Sequence, residues 1–246
     1  MRNFFGPDPY NDVYFQFMGA SHLIVLFFAL SLIFLTYIYR DFIKKHKRFF
    51  RIFLGVMLLV THIVYKIWLI VNDLHDKNNF LPLHLSSIST IILGIVLIIN
   101  NKKAFNLIYF WALAAGIQAT CVPQLDHGYN HFRFYQFFLD HVLLSYCPIF
   151  MNIIYNYYPR YRNMWNSYIY LIIYGLFVMA IDFALEVNYM ILREKPEIHT
   201  PLDYMGDWPY YVIFLIFAEL GVFHVLYAPM LFIKRKIKKL NLLKIS

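Results

Sequence analysis

The residues best suited to chemistry lie inside stretches that are otherwise apolar. His22, His62, Lys66, His84, Asp140, His141, Asp182, Glu186, Glu219 and His224 all fall within or at the ends of long hydrophobic blocks. Ionisable groups are expensive there and are retained mainly for pairing or function. A histidine can act as a general base, a carboxylate can orient it, and an amide or second histidine can polarise an ester carbonyl. His62 and Lys66 are spaced i,i+4, as are Asp182 and Glu186, so each pair is expected on one helix face. The stretch "LPLHLSSIS" (81–89) adds His84, Ser86, Ser87 and Ser89 at the mouth of an apolar run.

Seven apolar blocks must position these groups, at about 17–38, 52–72, 83–99, 105–121, 135–155, 168–189 and 210–233. About twenty apolar residues in a helix cross a ~30 Å hydrocarbon layer. The third and fourth blocks are short. The chain is 61% hydrophobic and only 15% charged, with mean hydropathy +0.54. This predicts an all-α polytopic membrane protein of the cell membrane, one transmembrane domain over residues 1–246, with no soluble module. Acidic and aromatic residues precede the first block and no small-residue site follows it, so it does not read as a cleaved signal peptide.

Basic residues predict the orientation. Arg40–Arg51, Lys102 and Lys103, Arg160 and Arg162, and the tail Lys234–Lys244 hold 16 of the 22 Lys and Arg, with Asp41 as their one acid. The positive-inside rule places the N-terminus outside and the C-terminus in the cytoplasm. The net charge of +8 is mostly this asymmetry, split among four segments, which argues against a nucleic-acid partner. Membrane lipids are the expected partners. Oriented this way, most of the ionisable side chains fall in the outer half, which predicts a polar cavity open toward the outer leaflet.

Simpler roles compete with each assignment. His22 could cap the first helix, and Lys66 could snorkel outward as an anchor. The serines could bond carbonyls one turn back or allow close helix packing. Asp182 could be the partner of Lys66. Cys121 and Cys147 lie at different depths and predict no disulfide. No HExxH, CxxC, Walker or GxGxxG pattern asks for a metal or cofactor. Gly94, Gly116 and Gly175 are candidate kink points.

Four segments, "LPLHLSSIS" (81–89), "AAGIQATCVP" (114–123), "FYQFFLDHVLLSYCPIFM" (134–151) and "EVNYMILREKP…TPLDYMGDWPYY" (186–211), together resemble the YwaF family of bacterial integral membrane proteins. More distantly they resemble the eukaryotic transmembrane protein 164, a phospholipid-remodelling acyltransferase that uses a cysteine and a histidine. By that resemblance Pro82 and His84 match the flanks of a Pro-Cys-His motif and His141 matches the second histidine. Glu186, Val187 and Asn188 match a Glu-Val-Asn triplet, and Gly206 with Trp208 matches a Gly-Pro-Trp turn. The cysteine slot holds Leu83, so the covalent mechanism does not carry over. What remains is acyl transfer or acyl-ester hydrolysis on lipids with His141 as base, Glu186 or Asp140 as its acid, and His84 and Asn188 as carbonyl polarisers. His22, Lys66, Asp140, Asp182, Ser86 and Trp208 are the expected substrate-binding residues. A proton-coupled transporter needs the same buried groups. A metal-dependent lipid hydrolase would use His84, His141 and a carboxylate around zinc, but the sequence lacks a closely spaced ligand pair.

Overall fold

The computed structural model describes residues 3–77, 80–195 and 201–243, with side chains to Phe232 in the last helix. The basic side chains expected at Lys234–Lys244 lie outside the described side chains. Among the described residues the fold is all-helical: α1 (Ala20–Ile38), α2 (Arg40–Lys45), α3 (Lys47–Val71), α4 (Leu85–Ile99), α5 (Lys102–Cys121), α6 (Phe132–Tyr155), α7 (Tyr161–Leu185) and α8 (Tyr210–Leu243). Short 3-10 turns lie at Tyr10–Asp12, Tyr189–Ile191 and Pro201–Met205.

Six of these helices are long and apolar enough to cross a membrane. The seventh apolar block is α4, whose 15 residues span roughly 22 Å at 1.5 Å per residue. Its start is set by Pro82 and by the extended backbone of His84, the N-cap residue. The basic stretch Arg40–Arg51 is divided between the one-and-a-half-turn α2 and the first turn of α3.

The chain groups into two compact units, residues 1–157 and 158–246. In the first, α6 is central. It packs on α1, α3, α4 and α5, and 72% of its most apolar stretch is buried, against 11% for α1. The outward faces of the helices carry large apolar side chains such as Phe27, Phe34 and Ile63, the pattern expected when lipid is the solvent.

Small residues set the closest helix approaches. A Cβ on Gly55 of α3 would stand 2.7 Å from Gly94 O of α4. One on Gly116 of α5 would stand 2.6 Å from Ser145 N and 2.9 Å from His141 O of α6. Gly94 and Gly116, candidate kink points by sequence, are close packing contacts in the fold. In lipid, such contacts supply the dispersion energy that water would otherwise drive. In α6 the helix-interrupting residue is Pro148.

The N-terminal segment is a part of the fold that the sequence did not indicate. Residues 3–15 lie along the 122–132 connection and the end of α3. Phe5 O accepts from Trp68 Nε1 (2.8 Å) and Asn72 Nδ2 (3.0 Å). Tyr10 O accepts from Asn130 Nδ2 at 2.7 Å, and Phe132 N donates to Phe4 O at 2.9 Å. Phe15 packs on the cluster of Phe134, Phe137 and Phe138.

In the second unit α7 packs on α8. The helix ends at Leu185, four residues before the expected end, and Glu186 takes up a left-handed C-cap (φ 53°, ψ 49°). The shared helical face expected of Asp182 and Glu186 is therefore not continued. Both cysteines are free, Cys147 buried and Cys121 exposed.

Candidate functional site

The polar centre of the first unit is built around Asp140, buried about two turns into α6. Thr61 of α3 donates its hydroxyl to Asp140 Oδ1 at 2.8 Å, and Thr90 of α4 donates to Oδ2 at 3.3 Å. Three helices thus meet at one carboxylate. Gln136, one turn earlier on α6, donates to Thr61 O at 3.3 Å and accepts from Arg133 Nη1 through its Oε1. The Arg133 guanidinium lies 4.3 Å from the ring centroid of Tyr65 and 5.4 Å from that of Trp68. Lys66 Nζ lies 5.3 Å from the Tyr65 centroid. Asp140 interacts electrostatically with His62, Arg133 and His141, so a guanidinium and two imidazoles surround one fixed carboxyl group.

His141, the next residue, is buried in α6. Its Nδ1–H donates to Phe137 O at 2.8 Å, one turn back. This bond selects the tautomer whose Nε2 carries the lone pair. The Phe137 ring lies 4.3 Å from the imidazole centroid and limits its rotation. His84 sits half-buried at the start of α4, whose N-cap provides no side-chain hydrogen bond to the first-turn amides. Ser86 is half-buried in that first turn, while Ser89 is fully buried with an Oγ that finds no partner among the described residues.

His22 belongs to the scaffold. It is fully buried, its Nδ1 accepts from Met18 N at 3.1 Å, and its Nε2–H donates to Thr120 O at 2.9 Å. Both ring nitrogens are occupied, which leaves none for the substrate-binding role expected of it. His22 instead ties the entrance of α1 to the end of α5.

Two further histidines close over the same end of this unit. His131 Nε2–H donates to Gly6 O at 3.0 Å, and His127 Nε2–H donates to Pro7 O at 2.9 Å. Their rings stand 4.2 Å apart, with Trp68 edge-on to both. Burial, then the neighbouring His127, pushes the His131 imidazole down to about 4, and burial also lowers His127. Both clasp the N-terminal segment as neutral rings.

The remaining predicted residues lie in the second unit and organise one turn. Asp182 is buried, and its Oδ1 accepts from Tyr189 N at 2.9 Å. Asn188 Oδ1 accepts from Arg193 N and Glu194 N, both at 3.2 Å, and its Nδ2 donates to Glu194 O at 2.8 Å. Trp208 donates to Leu192 O at 3.2 Å and packs edge-on against Phe183. Glu186 is exposed; its backbone N–H donates to Asp182 O, and its carboxylate makes no hydrogen bond or ion pair within its unit among the described residues.

Sequence reading passed over Thr61, Thr90, Tyr65, Arg133 and Gln136. Thr61 and Thr90 look like ordinary hydroxyls in apolar helices, and Arg133 reads as a loop charge. Their signal was periodicity. Arg133, Gln136 and Asp140 recur at three- and four-residue spacing on one face of α6. Among the described residues no three His, Cys, Asp or Glu side chains group as metal ligands.

A helical bundle that turns its apolar side chains outward and gathers Asp, Arg and His between helices is a multi-pass membrane protein with an internal polar site. Its family follows from the sequence profile: the TMEM164 family matches residues 17–227, most of the chain, and the protein belongs to that family. No curated protein and no solved structure matches the chain.

Proposed function

We propose that the protein carries out acyl transfer or acyl-ester hydrolysis on membrane lipids, with His141 as general base. The observation that carries this reading is the His141 Nδ1–H bond to Phe137 O beside the anchored charge of Asp140. Family membership supports a lipid-related role in the membrane, and the finer likeness to YwaF proteins and to a phospholipid acyltransferase belongs to the same reading.

In the reaction, His141 Nε2 takes the proton from an acceptor hydroxyl, and the oxygen attacks the ester carbonyl carbon. The tetrahedral intermediate collapses, the ester C–O bond breaks, and the leaving alkoxide recovers the proton from the imidazolium. With water as acceptor the same steps give hydrolysis. Asp140 stabilises the transient imidazolium through space, while the Phe137 carbonyl holds the ring. His84 and the uncapped first-turn amides of α4, including that of Ser86, stabilise the oxyanion. Lys66 and Arg133, both against Tyr65, attract the negative headgroup. In the second unit the turn that Asp182, Asn188 and Trp208 build leaves Glu186 exposed. Leu83 in the cysteine slot makes the chemistry independent of thiols. The site opens to the outer leaflet of the cell membrane, as the basic segments Arg40–Arg51 and Arg160–Arg162 orient the chain.

The test is a lipid-turnover assay by mass spectrometry on the purified protein in liposomes of phospholipid and lysolipid. Wild type and the Cys121→Ala, Cys147→Ala double variant should both move or release acyl chains, and His141→Gln should not. Uptake of a solute coupled to a proton gradient, with no change in lipid, would replace this reading by the transporter.

A further inference from the structure

The end of the first unit remote from His141 contains a second cluster that the proposed chemistry does not use. Lys47 and Arg51 lie one turn apart at the start of α3. Arg51 is 6% exposed, and neither its Nε nor its Nη1 finds a hydrogen-bond partner among the described residues. Its guanidinium carbon stands 5.6 Å from the ring centroid of Tyr155, and Lys47 Nζ stands 5.5 Å from the same centroid. The Tyr155 hydroxyl donates to Lys47 O at 2.9 Å, which pins the end of α6 to the start of α3. Tyr157 stands 5.6 Å from Tyr155, packs on Phe105, and carries Lys102 Nζ 4.8 Å from its centroid.

Three cations from α3 and α5 therefore surround two tyrosines, Tyr155 at the end of α6 and Tyr157 two residues further on. Residues 42–72, 100–121 and 142–162 contain no Asp or Glu, and among the described residues Arg51 forms no ion pair. The rings cover the faces of these cations and the Tyr155 oxygen takes one hydrogen bond from Arg51, but Arg51 Nε and Nη1 are left without an acceptor among the described residues. A buried donor in that state is costly and calls for an ion or water to complete it. Exposed lysines alone would meet the positive-inside rule. A buried arginine is not needed for orientation.

We propose that Arg51, with Lys47 and Lys102 at its rim, binds a phosphate group, presented by an anionic lipid or by a soluble phosphate. The planar guanidinium fork matches two phosphate oxygens, and the ammonium groups neutralise the remaining charge. The ends of α3 and α6 lie at a membrane face, where lipid phosphates are concentrated. The site is separate from His141, about 21 Å along α6 from Tyr155 at 1.5 Å per residue.

The test measures binding, not turnover, so it stands apart from the acyl-transfer reading. The full chain in mild detergent is mixed with phosphatidylglycerol or phosphatidylcholine, and retained lipid is counted by native mass spectrometry. In parallel, its thermal transition is followed in inorganic phosphate against chloride at equal ionic strength. Wild type should keep one phosphatidylglycerol at least tenfold more tightly than phosphatidylcholine, or be stabilised by phosphate and not by chloride. The first result assigns a lipid headgroup and the second a soluble phosphate. Arg51→Gln should abolish the preference. Should that variant fold poorly, Arg51→Lys, which keeps the charge and loses the fork, and the exposed Lys102→Gln should each weaken it several-fold. A wild type indifferent to both anions, or folded Arg51→Lys and Lys102→Gln variants that bind as tightly as wild type, would overturn the proposal.

Discussion

Thr61 of α3 donates its hydroxyl to Asp140 of α6 at 2.8 Å while also reaching Leu58 O in its own helix at 2.9 Å. One hydroxyl cannot give its single proton to both, so the carboxylate, as the stronger acceptor, takes it whenever Asp140 is ionised. The bond fixes the rotamer of Asp140 beside His141. Thr61→Val keeps the shape of the side chain and removes the donor, leaving Thr90 at 3.3 Å as the remaining hydroxyl partner. A hydrogen bond to a charged group contributes about 1.5–3 kcal/mol. Thr61→Val should lower thermal stability by an amount in that range, and Thr61→Ser should recover most of it. Equal stability of all three proteins in detergent would show that the Thr61–Asp140 bond adds nothing to the stability of the fold.

The proposed chemistry makes Asp140 and His141 act together. His141→Gln removes the base and should cost at least ~10²-fold in turnover. Asp140→Asn keeps the hydrogen-bond acceptor for Thr61 and removes the charge that stabilises the imidazolium. Its effect should depend on His141 and vanish in the double variant, which should be no slower than His141→Gln. Single-turnover lipid assays on folded variants measure this coupling. Effects that multiply independently would place Asp140 in a purely structural role.

The helices were legible in the sequence because hydrophobic block length is a strong signal, and every block expected corresponds to a helix. The ends were less legible. The pair Asp182 and Glu186, at the end of α7, was expected on one face because i,i+4 spacing presumes an unbroken helix. The chain leaves the helix at Glu186, where Asp182 accepts from Tyr189 N and holds the turn. His22 looked available because spacing cannot reveal that two backbone groups, one of them 98 residues away, occupy its ring. Asp140 and His141 were identified as depth-matched polar residues. Their anchors Thr61 and Thr90 were not, since a threonine in an apolar helix most often bonds its own backbone.

The histidine clasp predicts a pH dependence. His131 is held down to about 4 in the folded protein against 6.5 in an unfolded chain. The folded state therefore binds fewer protons, and its stability is present above about pH 6.5 and falls as pH drops toward 4. Protonation would also cost the bond from Arg133 N to His131 Nδ1, at 3.0 Å, and set two cationic rings 4.2 Å apart. Arg133 adds to that repulsion, while Asp8 and Asp126 near His127 oppose it. Amide exchange of residues 4–15 should rise as pH falls from 7 to 4.5, after correction for intrinsic rates, and the rise should be much smaller in His131→Gln. The same protection at both pH values in wild type would refute the clasp.

Gly116 offers a test of how tightly α5 holds the site. A Cβ there would meet Ser145 N at 2.6 Å, and His141 O and Ser145 Cβ both at 2.9 Å. Two of these atoms are α6 backbone, which cannot swing aside as a flexible side chain can. Gly116→Ala must therefore push α5 and α6 apart beside His141. Alanine is the better helix former by about 1 kcal/mol, so a gain from propensity opposes the clash. Overpacking typically costs about 1–3 kcal/mol and so wins. The expected result is lower thermal stability together with reduced lipid turnover. Gly175→Ala in α7 provides the control, because nothing lies within 4 Å of a Cβ at that position. It should be neutral or slightly stabilising and should leave turnover unchanged. If Gly116→Ala were as stable and active as Gly175→Ala, the α5–α6 contact would be looser than 2.6 Å implies, and His141 would not depend on it.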